Sequence, residues 1–387
     1  MTRPPYRRTG LATLLLLLLL PGLFLFVILV LSIDRDRLVV AELRRAGVSA
    51  SLAAAGELAT DDLLTADPLK LKPLLVAARK RAQALAAANA AGGKPVALPD
   101  ADVAFGFTDR SFGGTFAPLD PNAAGAAWKN LNSAEVTVRL AGNADKFTRV
   151  RATFDTAVTG FRPTDRRPIP MAPFALYDGP PPASGDPSSP TSWTAALARR
   201  TDELTYHPVA GTVAAGPDGL AEVVVVIGVP TPAVPPVVPT VVLNIGAMTP
   251  DHTLGQIGVG IRKDDVAGGD FGGEFSLLPG MSKPVIGAAA ALNDRLADVA
   301  EAFRKVVGER RVWSLFATTD DHGHPVVNGF VAARLLKVEY SSGASAVRLT
   351  LQEAVLVTPT AVTQPAPRDG EKSPPLQRSV GKVRLAG

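Results

Sequence analysis

The chain has 387 residues, of which 47% are hydrophobic and 20% charged, and its formal net charge is +4. This length allows two or three domains of about 100–200 residues each. The composition is too apolar for an intrinsically disordered protein, and the small positive charge does not predict a nucleic-acid partner. The absence of cysteine excludes disulfides, thiolate metal sites and thiol nucleophiles.

The strongest signal is an uncharged apolar segment near the N-terminus, over residues 11–33. As an α-helix it is roughly 35 Å long, against about 30 Å for the hydrocarbon core of a bilayer. Arg3, Arg7 and Arg8 precede it, and positive charge favours the cytoplasmic side. We therefore predict a cytoplasmic tail over 1–10, a transmembrane helix over 11–33, and periplasmic or extracytoplasmic domains beyond it. The protein is then a single-pass protein of the inner (cytoplasmic) membrane.

A cleaved secretory signal is the competing interpretation of this segment. Its apolar core would span about 7–15 residues and end at a small-x-small cleavage site. The segment here is longer, and the residues from Leu31 to Asp34 provide no such site. We therefore expect an uncleaved anchor, kinked near Pro21 because proline removes a backbone hydrogen bond.

A helical pattern continues beyond the apolar segment. Apolar residues recur at spacings of three and four over 38–58, and the alanine-rich stretch 49–58 favours a helix. The pattern predicts one helix from about residue 11 to residue 64. A second helix is predicted to begin after Asp67, as its N-cap, or at Pro73, and to run to Ala91 before Gly92 and Gly93.

The hydrophobic period then changes from 3.6 to 2, which is typical of strands. Val103, Phe105 and Phe107 alternate with small residues, and the stretch 134–140 alternates apolar and polar residues. These stretches predict strands of one small sheet, with a further strand near 147–154.

The same region contains a specific set of residues. Asp102, Val103, Gly106 and Asp109 precede Thr115, Phe116 and Pro118, and Asn132 precedes the strand 135–139. Together with the basic tail and the two helices, this set resembles the "DVxxG…TFxP" and "NAVxV" patterns of the Flp pilus-assembly TadE/TadG-like family. The similarity covers about residues 5–140, with 168–176 as an extension. The chain departs from the family at 46–52, where the family has an acidic, ADAAALA-like turn.

The resemblance implies a membrane-anchored structural component of Flp/Tad (tight adherence) pilus assembly or a related secretion apparatus. Such a protein acts through protein–protein contacts and is not an enzyme. The implied partners are the membrane, other Tad/Flp pilus or secretion components, and further copies of the helix, with no nucleic acid and no small-molecule substrate. Prepilin-type processing is not predicted, because that cleavage needs a glutamate five residues after Gly10, where Leu15 stands.

The alternative is a membrane-anchored extracytoplasmic ligand-binding or sensor protein, with its pocket within 222–357. The two functions differ in the partner that they require. A structural component needs neighbouring protein subunits, whereas a sensor needs a small ligand.

The predicted fold class is α+β, with the long exported helix followed by small, pseudopilin-like sheet modules. The helices and first sheet occupy 34–160, and the proline, glycine and serine content of 161–205 predicts a linker or an ordered loop against the sheet. A β-rich domain over 206–357 follows, with one amphipathic helix at 288–307. Its predicted strands are 222–229, 240–245, 253–262, 311–317, 327–340 and 346–357. The tail 358–387 is predicted to be disordered.

Two clusters contain the residue types that bind metals. Asp320, Asp321, His322 and His324 could hold a divalent ion, although Gly323 makes a polar hairpin turn the favoured interpretation. A second set, Asp264, Asp265, Asp270 and Glu274, could bind calcium but lacks the ligand order of an EF-hand, which favours a solvated loop.

The chain lacks the common catalytic and nucleotide-binding patterns. The glycines at 255, 258 and 260 do not form G-x-G-x-x-G, and no nucleophile elbow, phosphate-binding loop or H-E-x-x-H occurs. Arg79, Lys80 and Arg81 are interpreted as the solvated face of the second helix, with contact to anionic headgroups as the alternative. We therefore predict no catalytic residues, no metal and no cofactor.

Overall fold

A computed structural model describes residues 9–65, 67–108, 114–120, 131–180, 191–228, 237–246, 249–267, 272–276, 290–319, 325–341, 345–363 and 379–386. The fold is mixed α+β, with one long apolar helix at the N-terminus and a β-rich remainder, which confirms the predicted class. In the described residues the helices are α1 (Thr9–Leu58), α2 (Asp62–Thr65), α3 (Pro68–Ala87), α4 (Trp193–Ala198), α5 (Pro250–Val259), α6 (Lys263–Ala267), α7 (Ala290–Asn293) and α8 (Leu296–Arg304).

The strands form two large assemblies and two small ones. In chain order they are β1 (Ala90–Ala91), β2 (Lys94–Ala97), β3 (Val103–Thr108), β4 (Phe116–Pro118), β5 (Ser133–Leu140), β6 (Asn143–Asp155), β7 (Val158–Phe161), β8 (Met171–Tyr177), β9 (Leu204–His207), β10 (Thr212–Ala215), β11 (Glu222–Gly228), β12 (Val238–Val242), β13 (Phe275–Ser276), β14 (Arg310–Thr319), β15 (Pro325–Glu339), β16 (Ala346–Glu353), β17 (Leu356–Val357), β18 (Ala361–Thr363) and β19 (Val380–Ala386).

The first assembly, called here the helix–sheet module, consists of α1 from residue 39 onward, α3 and an antiparallel sheet centred on β5 and β6. Strands β2 and β3 both pair with one edge of β5, and β6 pairs with the other. The two helices pack on each other and α1 packs on β5 and β6. The shared core consists mainly of alanine, leucine and valine side chains.

The helices begin close to the predicted positions and end earlier. Helix α1 ends at Leu58, six residues before the predicted end, where the backbone turns at Ala59 and Thr60. Helix α3 begins at Pro68, and the Asp67 side chain accepts the Leu69 amide at 2.9 Å, as the predicted N-cap requires. It ends at Ala87 because β1 and β2 then form a hairpin, whose turn places Gly92 and Gly93 at positive φ.

The second assembly is a closed six-stranded barrel of order β11-β12-β8-β14-β15-β16. The pairs β11–β12 and β8–β14 are parallel, and the other four pairs are antiparallel. Strands β14, β15 and β16 agree with the predicted strands at 311–317, 327–340 and 346–357. Closure leaves no free edge among these six strands.

The structure differs from three expectations for the C-terminal half. Strand β8, which is buried and central to the barrel, lies within the predicted linker 161–205. The predicted strand at 253–262 is instead helix α5, with Thr249 as its N-cap. Strands β18 and β19 lie within the tail predicted to be disordered. In each case pairing or packing with distant residues orders a segment whose local sequence signal is weak.

Strand β19 returns from the C-terminus to the helix–sheet module. It pairs antiparallel with β6, from Lys382 opposite Asp155 to Ala386 opposite Arg151, and parallel with β17. The two assemblies are therefore connected through the pairing of β19 with β6 as well as through the chain between β6 and β8.

Candidate functional site

The apolar half of α1 is the largest exposed hydrophobic surface in the described chain. The large apolar side chains between residues 17 and 33 are 38–72% exposed, and the helix continues through Pro21. By length and composition this helix is able to cross a membrane. A surface of this size is unfavourable in contact with water and is typical of segments that contact a bilayer or a protein partner.

The second half of the same helix is buried by the protein itself. Leu43, Ala46, Ala50 and Ala54 have at most 1% exposure and lie in the core formed with α3 and the sheet. Gly47 lies against the sheet so closely that a Cβ there would be 2.8 Å from Cγ2 of Val150. One continuous helix therefore has a lipid-compatible half and a half that belongs to the helix–sheet module.

Two side-chain contacts join the module to α1 just beyond the apolar segment. The Lys146 ammonium lies 2.5 Å from the Asp36 carboxylate, which ties the β5–β6 hairpin to the helix. The Glu42 carboxylate accepts the Gly92 amide at 2.7 Å, which ties the β1–β2 hairpin to it. Both hairpins therefore lie next to the part of α1 that follows the apolar segment.

The residues of the predicted family-like pattern lie together in the sheet. The Arg139 guanidinium donates two hydrogen bonds to the Asp102 carboxylate, at 2.7 and 3.0 Å. The Asn132 side chain bonds both the amide and the carbonyl of Thr108, at 2.9 and 3.0 Å. The hydrogen bonds from Arg139 lower the pKa of Asp102, because they favour its ionised form.

Gly106 and Phe116, from the same pattern, are in direct contact. A Cβ at position 106 would be 2.2 Å from the Ala117 carbonyl oxygen and within 3 Å of the Phe116 ring, so only glycine fits between the strands. The Arg151 guanidinium lies 4.9 Å from the centre of the Phe116 ring. Asp109 lies outside the described residues. The described members of the pattern thus hold β3, β4 and β5 together.

Asp61, in the turn after α1, connects the helix–sheet module to the barrel. Its Oδ2 accepts Nη2 of Arg310 at 2.8 Å and Nη2 of Arg334 at 2.6 Å, and its Oδ1 accepts the Val355 amide at 2.7 Å. Asp61 is 15% and Arg334 only 7% exposed, so this charge pair is largely removed from water. The sequence does not reveal this cluster, because its partners are about 250–290 residues away.

The Arg334 guanidinium has further partners that hold it in place. Its Nη1 donates to the Gly308 carbonyl at 2.9 Å, and its plane lies 4.0 Å from the centre of the Tyr206 ring. A cation over an aromatic face is attracted by the ring quadrupole. The contact therefore also fixes the β9–β10 hairpin, which contains Tyr206, against the barrel.

The predicted calcium cluster is not assembled in the described residues. Asp265 is buried and bonds Nε2 of His252 at 2.8 Å and the Arg262 amide at 2.7 Å, whereas Glu274 pairs with Arg162 at 2.6 Å. Asp264 is exposed on α6, and Asp270 lies outside the described residues. In the part of the chain that is described, no group of three or more His, Asp or Glu side chains is placed to hold a metal ion.

Three further sets of residues were candidates from the sequence: an acidic and histidine cluster, a group of glycines and a basic triplet. The cluster Asp320, Asp321, His322 and His324 lies outside the described residues. Gly255 and Gly258 are inside α5 and Gly260 caps its end, so they do not form a turn that opens a helix. Lys80 and Arg81 are exposed on α3, as a solvated face requires, whereas Arg79 is half-buried with its guanidinium 5.7 Å from the centre of the Phe105 ring.

Glu222, at the start of the barrel strand β11, is a buried carboxylate that the sequence did not single out. It is 5% exposed, and its Oε1 accepts the amides of Glu203 at 3.2 Å and Leu204 at 2.6 Å. Burial raises the pKa of Glu222, because removal from water disfavours the charged form. With both amides bound to one oxygen, its role in this geometry is to fix the start of β9 against β11.

No family model, curated protein or solved structure matches the chain. The functional interpretation therefore depends on the geometry described above and on the sequence pattern.

Proposed function

We propose that this protein is a single-pass, membrane-anchored structural component of Flp/Tad (tight adherence) pilus assembly or of a related secretion apparatus. It acts through protein–protein contacts, without catalysis. Its short N-terminal tail is cytoplasmic, and the helix–sheet module and the barrel are exported. These domains present their surfaces to other subunits.

The observation that carries the proposal is the division of α1 into two halves. The first half presents exposed apolar side chains on all sides, while the second half is an integral part of a folded module. A flexible linker would let an exported domain move independently of its anchor, whereas a continuous helix transmits position and force between them. This construction suits a protein that assembles laterally with others in the membrane.

The contacts of the family-like residues also support a structural role for the protein. Asp102, Gly106, Phe116 and Asn132 serve strand pairing and close packing. Their geometry is that of a fold determinant, which agrees with a non-enzymatic protein.

The proposal is tested in the host cell by deletion and complementation. Deletion of the gene should abolish surface filaments or the secreted product, and the full-length chain should restore them. Leu25→Arg places a charge in the middle of the apolar helix, at a cost of about 2.5–3.5 kcal/mol by membrane-insertion scales, and should fail to restore them. Leu25→Ile is the matched control and should succeed.

The partners are tested on the same strains. Cross-linking of intact membranes should recover other pilus or secretion components with the wild-type chain. Normal filaments and secretion in the deletion strain, together with a lost response to a small molecule, would instead favour the sensor function.

A reporter enzyme fused after Gly387 tests the orientation. It should be active outside the cytoplasm, and mass spectrometry should find an uncleaved N-terminus at Met1 or Thr2. Cytoplasmic reporter activity would contradict the orientation, and an N-terminus beyond Ser32 would contradict the anchor.

A further inference from the structure

The β5–β6 hairpin runs along α1 towards the apolar segment. Lys146, near the start of β6, pairs with Asp36, whereas Val150 lies against Gly47. Strand β6 therefore leads away from the apolar segment as the residue number increases. The turn that precedes it, at residues 141 and 142, lies at the end nearest to that segment.

The height of this turn follows from two lengths. Gly47 is 14 residues beyond Ile33, which is about 21 Å along an α-helix. Asn143 is seven residues before Val150, which is roughly 23 Å along a strand. Gly47 and Val150 are in contact, and from that contact both Ile33 on the helix and Asn143 on the strand lie in the same direction at nearly the same distance. The turn is therefore at about the level of Ile33, the last residue of the apolar segment.

The headgroup layer of a bilayer extends about 5–8 Å beyond each side of the hydrocarbon core. Asp36, the partner of Lys146, is roughly 5 Å beyond Ile33 along the helix and falls within that layer.

The side chains at this end of the module suit a boundary between lipid and water. Leu38, Val40 and Phe147 are 52–57% exposed, and the Arg139 guanidinium lies 5.4 Å from the centre of the Phe147 ring. The turn and the start of β6 contain the small or polar residues Gly142, Asn143 and Asp145. Apolar groups beside charged and hydrogen-bonding groups are the combination that interfacial segments present to a membrane.

We propose that the tip of the β5–β6 hairpin, residues 141–146, rests in the phospholipid headgroup layer of the bilayer that α1 spans. The bilayer surface is then a second binding site for the helix–sheet module and sets its height and orientation. This inference depends on the proposed membrane anchoring, and it identifies the phospholipid headgroup as the ligand of this surface.

Single-cysteine probes can test the inference directly, because the chain has no cysteine. The full-length protein carries a small fluorophore at Asn143→Cys, at Leu25→Cys or at Val209→Cys and is reconstituted into phosphatidylcholine–phosphatidylglycerol vesicles. Val209 is a fully exposed turn residue between β9 and β10. That hairpin contacts the Asp61 cluster, beyond the end of α1, which is roughly 38 Å along the helix from Ile33.

The vesicles contain lipids with a nitroxide quencher either on the headgroup or in the middle of the acyl chain. The headgroup quencher should reduce the Asn143→Cys signal most, the acyl-chain quencher should reduce the Leu25→Cys signal most, and neither should affect Val209→Cys. Position 144 is exposed, and Ala144→Cys provides a second probe if Asn143→Cys does not fold. Measurements at increasing lipid-to-protein ratios distinguish headgroups from neighbouring copies, because self-quenching between the fluorophores of two copies weakens on dilution, whereas quenching by lipid headgroups does not.

The outcomes separate the two proposals. Unquenched Asn143→Cys and Ala144→Cys signals, with Leu25→Cys quenched from the acyl chain, would overturn the headgroup contact and leave the anchor intact. An unquenched Leu25→Cys signal would overturn the anchor itself. Self-quenching between fluorophores at position 143 that weakens on dilution, with no headgroup quenching at any ratio, would show a contact between copies and would also overturn the proposal.

Discussion

The helix–sheet module and the barrel bury different kinds of side chain. Where α1 and α3 meet, the module uses alanines, including Ala50, Ala54, Ala78 and Ala82, each with no exposure. The barrel packs large rings: Trp313 is stacked on Phe303 at 6.0 Å, and Phe174 lies 5.6 Å from Phe303. Alanine lets helix backbones approach closely and leaves no room for larger residues, whereas a core of rings depends on the volume of each ring. The barrel should therefore lose stability when a ring is removed, and the helix–sheet module should lose stability when a buried alanine is enlarged.

The largest expected effect is the loss of a ring from the barrel. Trp313→Ala leaves a large cavity and should lower the free energy of unfolding by about 3–5 kcal/mol, measured by denaturant titration of the full-length chain in detergent. Trp313→Phe is the control. It keeps most of the packing and removes an indole N–H that is buried without a partner among the described residues. Equal losses for both variants would show that ring volume is not what stabilises the barrel.

The next largest loss of stability is expected from substitutions of Asp61, which connects the two regions. Asp61→Ala leaves Arg334 and Arg310 without their carboxylate and the Val355 amide without its acceptor, which should cost about 3 kcal/mol. Asp61→Asn should cost less, because its amide oxygen can still accept the Val355 amide. Limited proteolysis should also cut the Asp61→Ala chain faster between the two assemblies. Unchanged proteolysis would argue that other contacts, such as the pairing of β19 with β6 and the hydrogen bond from Lys70 to Asp218, hold them together.

Overpacking tests the module in the opposite direction. Ala82→Leu inserts three carbons into the contact between α3 and α1 and should cost about 1–3 kcal/mol. Ala84→Leu is the matched control on the exposed face of the same helix and should change stability by no more than about 0.5 kcal/mol. Thermal unfolding followed by circular dichroism measures both. A tolerated leucine at position 82 would contradict the close packing of these helices.

Two glycines of α1 provide a smaller and more local test. A Cβ at Gly56 would meet nothing within 4 Å, so Gly56→Ala should stabilise the helix by about 0.5–1 kcal/mol. At Gly47 the same gain is opposed by the crowding against Val150, so Gly47→Ala should gain nothing or lose stability. Equal stabilisation by both variants would indicate that the sheet moves away from α1 without cost.

The smallest effect concerns pH and the buried carboxylate of the barrel. The folded-state pKa of Glu222 is raised, so the folded protein binds this proton more tightly than the unfolded chain does. The wild type therefore loses stability as the pH rises from the unfolded value through the folded one. Glu222→Gln keeps the acceptor oxygen and removes the titration. The melting temperature of Glu222→Gln relative to wild type should rise with pH over this range, and a constant difference would contradict the assignment.

Local patterns in the sequence determined the elements whose signals are periodic and uninterrupted. The apolar segment of α1, the Asp67 cap of α3, the alternating strand β5 and the strands β14–β16 all follow from residues within a few positions of each other. The sequence also pointed to the family-like pattern around Asp102 and Gly106. The structure adds the reason why these residue types occur there, namely strand pairing and close approach.

Tertiary contacts decided the rest. Strand β8 lies between proline-rich stretches and is ordered by pairing with β12 and β14, and β19 is ordered by pairing with β6, more than 200 residues earlier. Asp61 and His252 look like ordinary polar residues until folding brings them to Arg334 and Asp265. Hydrophobic periodicity reports only which face of a segment is buried, whereas strand order, barrel closure and buried charge pairs depend on which distant segments meet. That choice is made by the packing of the whole chain.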